Sequence, residues 1–187
     1  FYEGSGKIAS PLLNVSSQNI SGLDLNISKI FDVDFGEIRL NNFLSYLLKN
    51  DIQLRPSLPI EDCKGKYENT CGLPSPQIQN IFSMDFIYKV SQFDASSNLT
   101  MRYIDGVDDS NTQKPIDFSS YYYLDMNFSI DLVNDINFSF GINNIFDKNP
   151  PLNGKSINYV PGNANTYPSY YDPLGRFIYL NISKRIY

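Results

Sequence analysis

The chain has 187 residues, enough for one domain or two small ones, and its formal net charge is −5. This acidic balance argues against binding to a phosphate backbone, so we expect no nucleic-acid partner. His is absent, which excludes Ser-His-Asp triads, HExxH zinc sites and imidazole acid–base chemistry. No phosphate-binding or dinucleotide motif occurs either, so we expect no enzyme and no cofactor.

The chain also lacks the usual targeting and spanning segments. No run of about 18 apolar residues exists, which excludes a transmembrane helix. The opening FYEGSGKIAS does not resemble a signal peptide, and we expect residues 1–187 to be part of something longer.

Alternation of apolar and polar residues with period two dominates the sequence. Leu23, Leu25 and Ile27, for example, alternate with Asp, Asn and Ser. Such segments have one apolar and one polar face and predict β-strands. Seven strands are predicted, near 19–31, 37–49, 77–90, 96–104, 118–131, 136–146 and 175–187, and residues 1–18 are expected to hold the end of an eighth. The fold class is therefore all-β.

The connections between these strands alternate in length. Short connections are predicted at 32–36, 91–95 and 132–135, and long ones at 50–76, 105–117 and 147–174. In an antiparallel up-and-down meander, alternate connections lie at the same end of the sheet. One end of the sheet then has only short turns and the other has large loops, an asymmetry that is typical of transmembrane β-barrels.

Strand length and aromatic placement agree with a membrane-spanning sheet. About 10 residues tilted by ~45° cover roughly 23 Å, close to the ~25 Å apolar band of an outer-membrane barrel. Aromatic rings, which prefer the headgroup level, fall near the strand ends. They are Phe31 and Tyr88 at the short-turn end, and Tyr46, Tyr103, Tyr122 and Phe146 at the loop end. The alternative is that these rings are ordinary core aromatics of a soluble sheet.

The long connections contain the candidate site residues. Cys63 and Cys71 lie close together in a Pro- and Gly-rich stretch, where an oxidising compartment favours a disulfide. Two free or metal-binding thiols are the less favoured alternative. Residues 105–111 are acidic, and a solvated loop tip is favoured there over a Ca²⁺ site. Several loop tyrosines suit ligand recognition, with packing among themselves as an equal alternative. The full set of candidate ligand-facing residues is Tyr67, Asn69, Asp105, Asp108, Asp109, Tyr159, Tyr167, Tyr170 and Tyr171.

Three stretches of the chain resemble motifs of TonB-dependent outer-membrane receptors. The DCKG and TCGLPSP segments around Cys63 and Cys71 are similar to a cysteine loop of that family. GINNIFDKNPP resembles the signature of its next-to-last barrel strand, and YDPLGRF resembles the start of its last strand. The residues that match these last two motifs are Asn143, Asn144, Phe146, Asp147, Lys148, Pro150, Pro151, Asp172, Gly175 and Arg176.

The resemblance implies a C-terminal portion, over residues 1–187, of a transmembrane barrel of about 22 strands. In that family a plug domain and a TonB box, neither of which occurs in this chain, precede the barrel. The resemblance also implies the outer membrane of a Gram-negative-type bacterium as the location. The implied partners are outer-membrane lipid, the TonB energy-coupling complex, the barrel-assembly machinery and a small-molecule ligand of the siderophore-iron, cobalamin or oligosaccharide class. A passive porin-type barrel and a soluble β-sandwich binding or adhesion module remain alternatives.

One departure from the family pattern concerns the chain end. The outward phase of the last strand places Lys184 among apolar positions, whereas Tyr187, the expected terminal aromatic, falls one residue out of phase. The free-energy cost of Lys184 on the lipid face is expected to be small near the periplasmic interface, because its ammonium group reaches water.

Overall fold

The computed structural model describes residues 2–3, 7–8, 16–67, 71, 73–90, 93–109, 117–132, 136–152 and 166–184. The regular structure of these residues is entirely β, as the alternation predicts. No helix in these ranges has the length and apolarity needed to cross a membrane. The strands are β1 (Tyr2–Glu3), β2 (Lys7–Ile8), β3 (Ser17–Val33), β4 (Gly36–Gln53), β5 (Glu61–Asp62), β6 (Lys66–Tyr67), β7 (Ile78–Val90), β8 (Phe93–Ile104), β9 (Val107–Asp109), β10 (Asp117–Phe118), β11 (Tyr121–Leu132), β12 (Ile136–Asn143) and β13 (Phe177–Lys184).

Seven of these strands form one antiparallel meander in the order β13-β12-β11-β8-β7-β4-β3, with the short β5 beside β4. They correspond to the seven strands predicted from the sequence, which are thereby confirmed. Among the described residues β3 pairs only with β4 and β13 only with β12, so the sheet has two free edges and does not close on itself.

The register joins the apolar faces of the seven strands into one surface. Directly opposed residues lie on the same face of a sheet. Apolar residues face each other across every ladder, among them Leu25↔Leu44, Leu40↔Met84, Met84↔Leu99, Met126↔Leu99, Phe128↔Phe140 and Phe140↔Leu180. This surface, which we call the apolar face, also contains Lys184, opposite Ile136. The expected phase of Lys184 is therefore confirmed.

The opposite surface, the polar face, carries a hydrogen-bonded network beside a few exposed apolar side chains, Ile30, Phe43 and Ile81. Asp85 accepts from the amides of Asn41 and Asn98, at 3.4 and 2.5 Å. Asn137 donates to Ser129 and Asp131 on the neighbouring strand. Cross-strand side chains of this kind fix the register, because a slip by one residue would exchange the two faces.

Most buried side chains of the described residues lie at the loop end of the sheet rather than under either face; the small Ala95, at the short-turn end of β8, is an exception. Tyr67, Val107, Phe118, Tyr167 and Tyr171 form a hydrophobic cluster at the loop end. Each of the three predicted long loops contributes a residue to it: Tyr67 comes from 50–76, Val107 from 105–117, and Tyr167 and Tyr171 from 147–174. The sheet itself is a single layer whose apolar face is covered by no other part of the described chain.

Several details differ from the sequence prediction: β3 and β4 are longer than predicted, and Phe118 lies in the separate strand β10 rather than in β11. Strand β12 ends at Asn143 rather than at residue 146, because Asn144 has a φ of 54° that no strand accommodates. Strand β13 begins at Phe177, two residues after Gly175. Residues 1–18 contain no eighth strand of the main sheet in their described part: β1 and β2 pair with each other, and Ser17 already belongs to β3. Residues 185–187, which include Tyr187, lie outside the described ranges.

Candidate functional site

The loop end of the sheet is tied together by a second, small sheet. Its order is β10-β9-β6, so it joins the loop after β4 to the loop after β8. Strands β6 and β9 are parallel, with Lys66 opposite Asp108, and the Asp108 amide donates to the Gly65 carbonyl at 2.9 Å. Two connections that are distant in the sequence therefore form one structural unit.

The hydrophobic cluster at this end, which we call the loop core, consists of Tyr67, Val107, Phe118, Tyr167 and Tyr171. The rings of Tyr67 and Tyr167 are 4.7 Å apart, and Phe118 meets Tyr167 edge-on at 5.7 Å. Such aromatic pairs add roughly 0.5–1.5 kcal/mol each beyond the area that they bury. The loop core therefore holds the third long loop against the other two.

Burial places three of the candidate ligand-facing tyrosines inside this cluster. Tyr67, Tyr167 and Tyr171 are only 4%, 8% and 2% exposed. Burial raises the pKa of the Tyr171 phenol to about 12 and also raises the pKa of Tyr170. For these three side chains the geometry favours packing among the loops over direct ligand contact, the alternative that the sequence left open.

The remaining ligand-facing candidates are dispersed. The Asp105 carboxylate accepts from the Tyr103 hydroxyl and the Gly106 amide, at 3.1 and 3.0 Å. Asp108 lies in β9, whereas Asn69, Tyr159 and the side chain of Asp109 lie outside the described residues. Within the described part of the chain, no three His, Cys, Asp or Glu side chains approach closely enough to hold a metal ion.

The disulfide predicted from the cysteine spacing is present. Cys63 and Cys71 are bonded, with their Cα atoms 5.6 Å apart, and Cys63 is fully buried. The Cys63 amide donates to the Asn50 carbonyl at 2.8 Å, and the Gly65 amide donates to the Ser75 carbonyl at 2.8 Å. The disulfide therefore closes a loop that backbone hydrogen bonds also join to Asn50 of β4 and to Ser75.

The turn after β12 explains the second Asn of the GINNIFDKNPP segment. Asn144 is 1% exposed and has a φ of 54°, a conformation that Asn tolerates better than most residues. Its side chain bonds Lys148 twice, since its amide nitrogen donates to the Lys148 carbonyl and its oxygen accepts from the Lys148 amide, both at 2.9 Å. One Asn side chain therefore closes the whole turn.

The second and third motif stretches meet through Asp147. Its carboxylate accepts from the Arg176 amide at 2.8 Å, and the Arg176 guanidinium lies 3.9 Å from its other oxygen. Gly175 has a φ of 71°, and a Cβ there would lie 2.9 Å from the same carboxylate. The fold therefore requires Gly at position 175, both because φ is positive and because a side chain would meet the Asp147 carboxylate.

The other motif residues surround this contact. The ammonium of Lys148 lies 4.1 and 4.2 Å from the ring centres of Tyr121 and Tyr122. The hydroxyl of Thr166 donates to the Pro151 carbonyl at 2.8 Å, and the Asp172 carboxylate accepts from the Leu174 amide. Asn143 ends β12 opposite Phe177, Pro150 precedes Pro151 in the same segment, and Phe146 is 65% exposed.

An ion pair on the polar face supports the turn at Asn144. The sequence analysis did not predict this pair. Arg102 donates to Asp125 at 2.6 Å and lies 4.8 Å over the Tyr123 ring. The Asp125 carboxylate also accepts from the Asn144 amide at 2.8 Å. Arg102 and Asp125 belong to different strands, and only the register, which the sequence did not supply, brings them together.

A cavity of about 210 Å³ opens on the polar face below the loop core. We call it the amide cavity because Asn50, Gln77 and Gln79 line it, together with Ser45, Ser75 and Tyr170 and the apolar side chains of Ile20 and Leu47. Asn50 is 6% exposed and anchors the wall: it accepts from Gln18 at 2.8 Å and donates to Ser75 at 2.9 Å. These are groups for non-covalent recognition, since the cavity lining contains no charged side chain.

Comparison with protein-family models, with curated proteins and with solved structures gives no match to the chain.

Proposed function

We propose that the chain is the C-terminal part of the barrel of a TonB-dependent outer-membrane receptor. The whole receptor binds a scarce solute at its extracellular loops and imports it with energy supplied through TonB. The observation on which the proposal rests is the predominantly apolar face that the register extends across all seven strands of the meander, interrupted by Lys29, Asn42 and Asn80.

The exposure of this face favours lipid over water as its surroundings. Residues of central strands are well exposed on it, with Met101 at 40% and Tyr122 at 50%, and so are Leu25 and Leu180 at the two edges, at 50% and 60%. Soluble monomers rarely expose contiguous apolar patches of more than a few hundred Å². A surface seven strands wide greatly exceeds that area.

Aromatic residues border the apolar face at both ends. Tyr103 and Tyr122 are directly opposed near the loop end, where Tyr46 also lies. Phe35 and Tyr88 stack at 5.8 Å at the short-turn end. Two such borders are the arrangement expected of a sheet that crosses a bilayer, because aromatic rings accumulate at both interfaces.

The two free edges favour closure of the sheet by further strands. Unpaired backbone groups cost several kcal/mol each in hydrocarbon, so a lipid-facing sheet has to close into a barrel. Under this proposal β3 and β13 each pair with a strand outside residues 1–187, and the polar face lines the barrel interior.

The motif contacts support the same family. The Asn144–Lys148 turn and the Asp147–Arg176 contact join the two segments that resemble the family's last two strands. The lengths of the connections also agree with a transmembrane barrel, because the long loops and their loop core lie at one end of the sheet and the short turns at the other.

The proposal is tested by fractionation and uptake in the source bacterium. The full-length protein should remain in the outer membrane after alkaline washing and should migrate faster on gels before heating than after it. Uptake of its solute, sought among ferric siderophores, cobalamin and labelled oligosaccharides, should depend on both this gene and the gene for TonB.

Each alternative predicts a different result in the same assays. A passive porin would retain uptake in a strain that lacks TonB. A soluble β-sandwich module would be recovered without detergent and would show no heat-dependent shift. Either result would overturn the proposed transport function.

A further inference from the structure

We propose that the amide cavity binds one ring of a neutral, hydroxyl-rich ligand, a sugar unit, on the polar face of the sheet. The inference extends the proposed function by naming the substrate class. It rests on that function only for the role of the sugar as cargo, since binding can be measured whether or not the protein transports anything.

The cavity is built by three segments that fix one another. A β-bulge between Ser21 and Gly22 shifts the register of the β3–β4 ladder, and Asn50 then lies opposite Ile20 on the polar face. Asn50 bonds Gln18 of β3 and Ser75 of the disulfide loop, and its carbonyl accepts from Cys63. The walls are therefore preorganised, which lowers the entropic cost of binding.

Two polar groups in the lining are available to a ligand. The hydroxyl of Ser45 and the amide of Gln79 have no hydrogen-bond partner among the side chains that the structure describes, and the two residues are directly opposed in the β4–β7 ladder. A Gln amide both donates and accepts, and so does a Ser hydroxyl. Groups of this kind match sugar hydroxyls, which also donate and accept.

The charge distribution disfavours anionic ligands. No Lys, Arg, Asp or Glu lines the cavity, and Lys49 and Asp51, which pair with each other at 2.9 Å, lie on the opposite face of the β3–β4 ladder. Asp24 lies opposite Ser45 on the same face, where it would repel an anionic ligand and can accept a hydrogen bond from a hydroxyl group. A carboxylate or phosphate ligand would therefore find no counter-ion.

Tyr170 supplies the aromatic wall. Its ring packs against the loop core on one side and lines the cavity on the other. A sugar ring presents apolar C–H groups on its faces and hydroxyls around its edge, so it can contact an aromatic ring and amides together. The volume of about 210 Å³ lies below the roughly 300–1,000 Å³ of sites for drug-sized ligands, which suits one ring rather than a whole chelate.

The test is titration calorimetry on the full-length protein, purified from whichever fraction, membrane or soluble, contains it. The probes are glucose, galactose, mannose and maltose, with glucuronate and glucosamine as charged counterparts. We expect a neutral sugar to bind at millimolar concentration or below and more tightly than glucuronate, which Asp24 would repel.

Variants locate the binding. Gln79→Leu should weaken sugar binding by about 3- to 10-fold, the loss expected for one or two hydrogen bonds. The matched control is Asn80→Leu, the next residue of β7 on the opposite face, which should leave affinity unchanged. Tyr170→Phe keeps the ring and should retain most of the affinity, whereas Tyr170→Ala should lose it.

The proposal is overturned if no neutral sugar binds, if a charged analogue binds best, or if Gln79→Leu binds like the wild type. These results leave the transport function standing if the protein fractionates with the outer membrane and shows the heat-dependent shift. If instead the protein binds a neutral sugar but is recovered without detergent, the sugar site is supported and the transport function is overturned.

Discussion

Backbone conformation explains the residue types of the motif turns. Asn144 and Asp147 have φ values of 54° and 52°, and Gly175 has 71°. Asn, Asp and Gly are the residues that tolerate this left-handed region at the lowest cost. The resemblance to a family pointed to these positions, but the φ values and the Asp147–Arg176 contact give the physical reason for them.

Removal of the Asp147 carboxylate should loosen the start of β13. Asp147→Ala loses the acceptor of the Arg176 amide and puts a residue with no side-chain oxygen at a positive φ. We expect the free energy of unfolding to fall by roughly 1–2 kcal/mol, a modest value because the carboxylate is 56% exposed. Asp147→Asn keeps the acceptor and the tolerance of positive φ, and denaturant titration should place it near the wild type. Equal losses in the two variants would contradict this role for the carboxylate oxygen.

The loop core should open at high pH because of Tyr171. Its pKa is raised by burial to about 12 in the folded state, from 10.0. Below pH 10 both states keep the proton, so the stability is unaffected. Between about pH 10 and 12 only the unfolded state releases it, and roughly 2–3 kcal/mol of stability is lost as the pH rises.

Spectroscopic titration of the tyrosines checks this expectation. Tyr171→Phe keeps the ring in the loop core. The ultraviolet absorbance curve of this variant should lack the step at high pH that comes from ionisation of the Tyr171 phenol. An unchanged step at high pH in the variant would show that another tyrosine accounts for it.

At the residue scale, local spacing predicted what is local. The Cys63–Cys71 disulfide followed from two nearby cysteines, and the seven alternating segments followed from period two. The Arg102–Asp125 pair did not, because it depends on which residues of β8 and β11 are opposed. The burial of Tyr67, Tyr167 and Tyr171 likewise depends on how three loops meet.

Element boundaries show where alternation fails as a signal. Strands β3 and β4 have 17 and 18 residues, longer than predicted, because the bulge at Gly22 interrupts the period without ending the ladder. A Cβ at Gly22 would lie 2.9 Å from the Tyr46 carbonyl oxygen, so Gly permits the close approach. The strands β5, β6, β9 and β10 have two or three residues each, too few to show any period.

A glycine on the polar face makes room for an aromatic ring. Gly141 is paired with Tyr179, whose ring covers it, and the Asn127 amide donates to the Tyr179 hydroxyl at 3.0 Å. Gly141→Val would displace this ring and should lower the free energy of unfolding by about 1–3 kcal/mol.

A double-mutant cycle separates this contact from general strand effects. In a Tyr179→Ala background, Gly141→Val should cost much less, because no ring remains to be displaced. Additive losses in denaturant titrations would rule out the proposed coupling between the two positions.

The two faces of β11 should respond differently to substitution. Met126 lies mid-strand on the apolar face, opposite Leu99 and Ile142, and Met126→Arg should impair assembly by roughly 2–4 kcal/mol if that face contacts lipid. Asn127→Ala, one residue along on the polar face, should cost only about 1 kcal/mol through its bond to Tyr179. Folding yield into lipid vesicles measures both, and similar effects would mean that the faces are assigned wrongly.

Over the whole molecule, the separation into an apolar and a polar face is what the sequence predicted best. Register aligns the apolar phases of all seven strands, although each phase was assigned from its own segment alone. The position of the core was not foreseen: it lies among the loops, because a single-layer sheet has no second layer to pack against. Loop packing depends on contacts that are distant in the sequence, for which period and spacing provide no signal.

A membrane-spanning sheet requires the apolar face to contact lipid while the polar face contacts water or protein. The most direct measurement places spin labels singly at Met126, Phe128, Asn127 and Ser129 in the full-length protein, reconstituted in vesicles. Collision rates with oxygen and with a water-soluble nickel complex are then compared. We predict high oxygen and low nickel accessibility at Met126 and Phe128, with the reverse ratio at Asn127 and Ser129. Equal nickel accessibility at all four positions would contradict a membrane-spanning sheet.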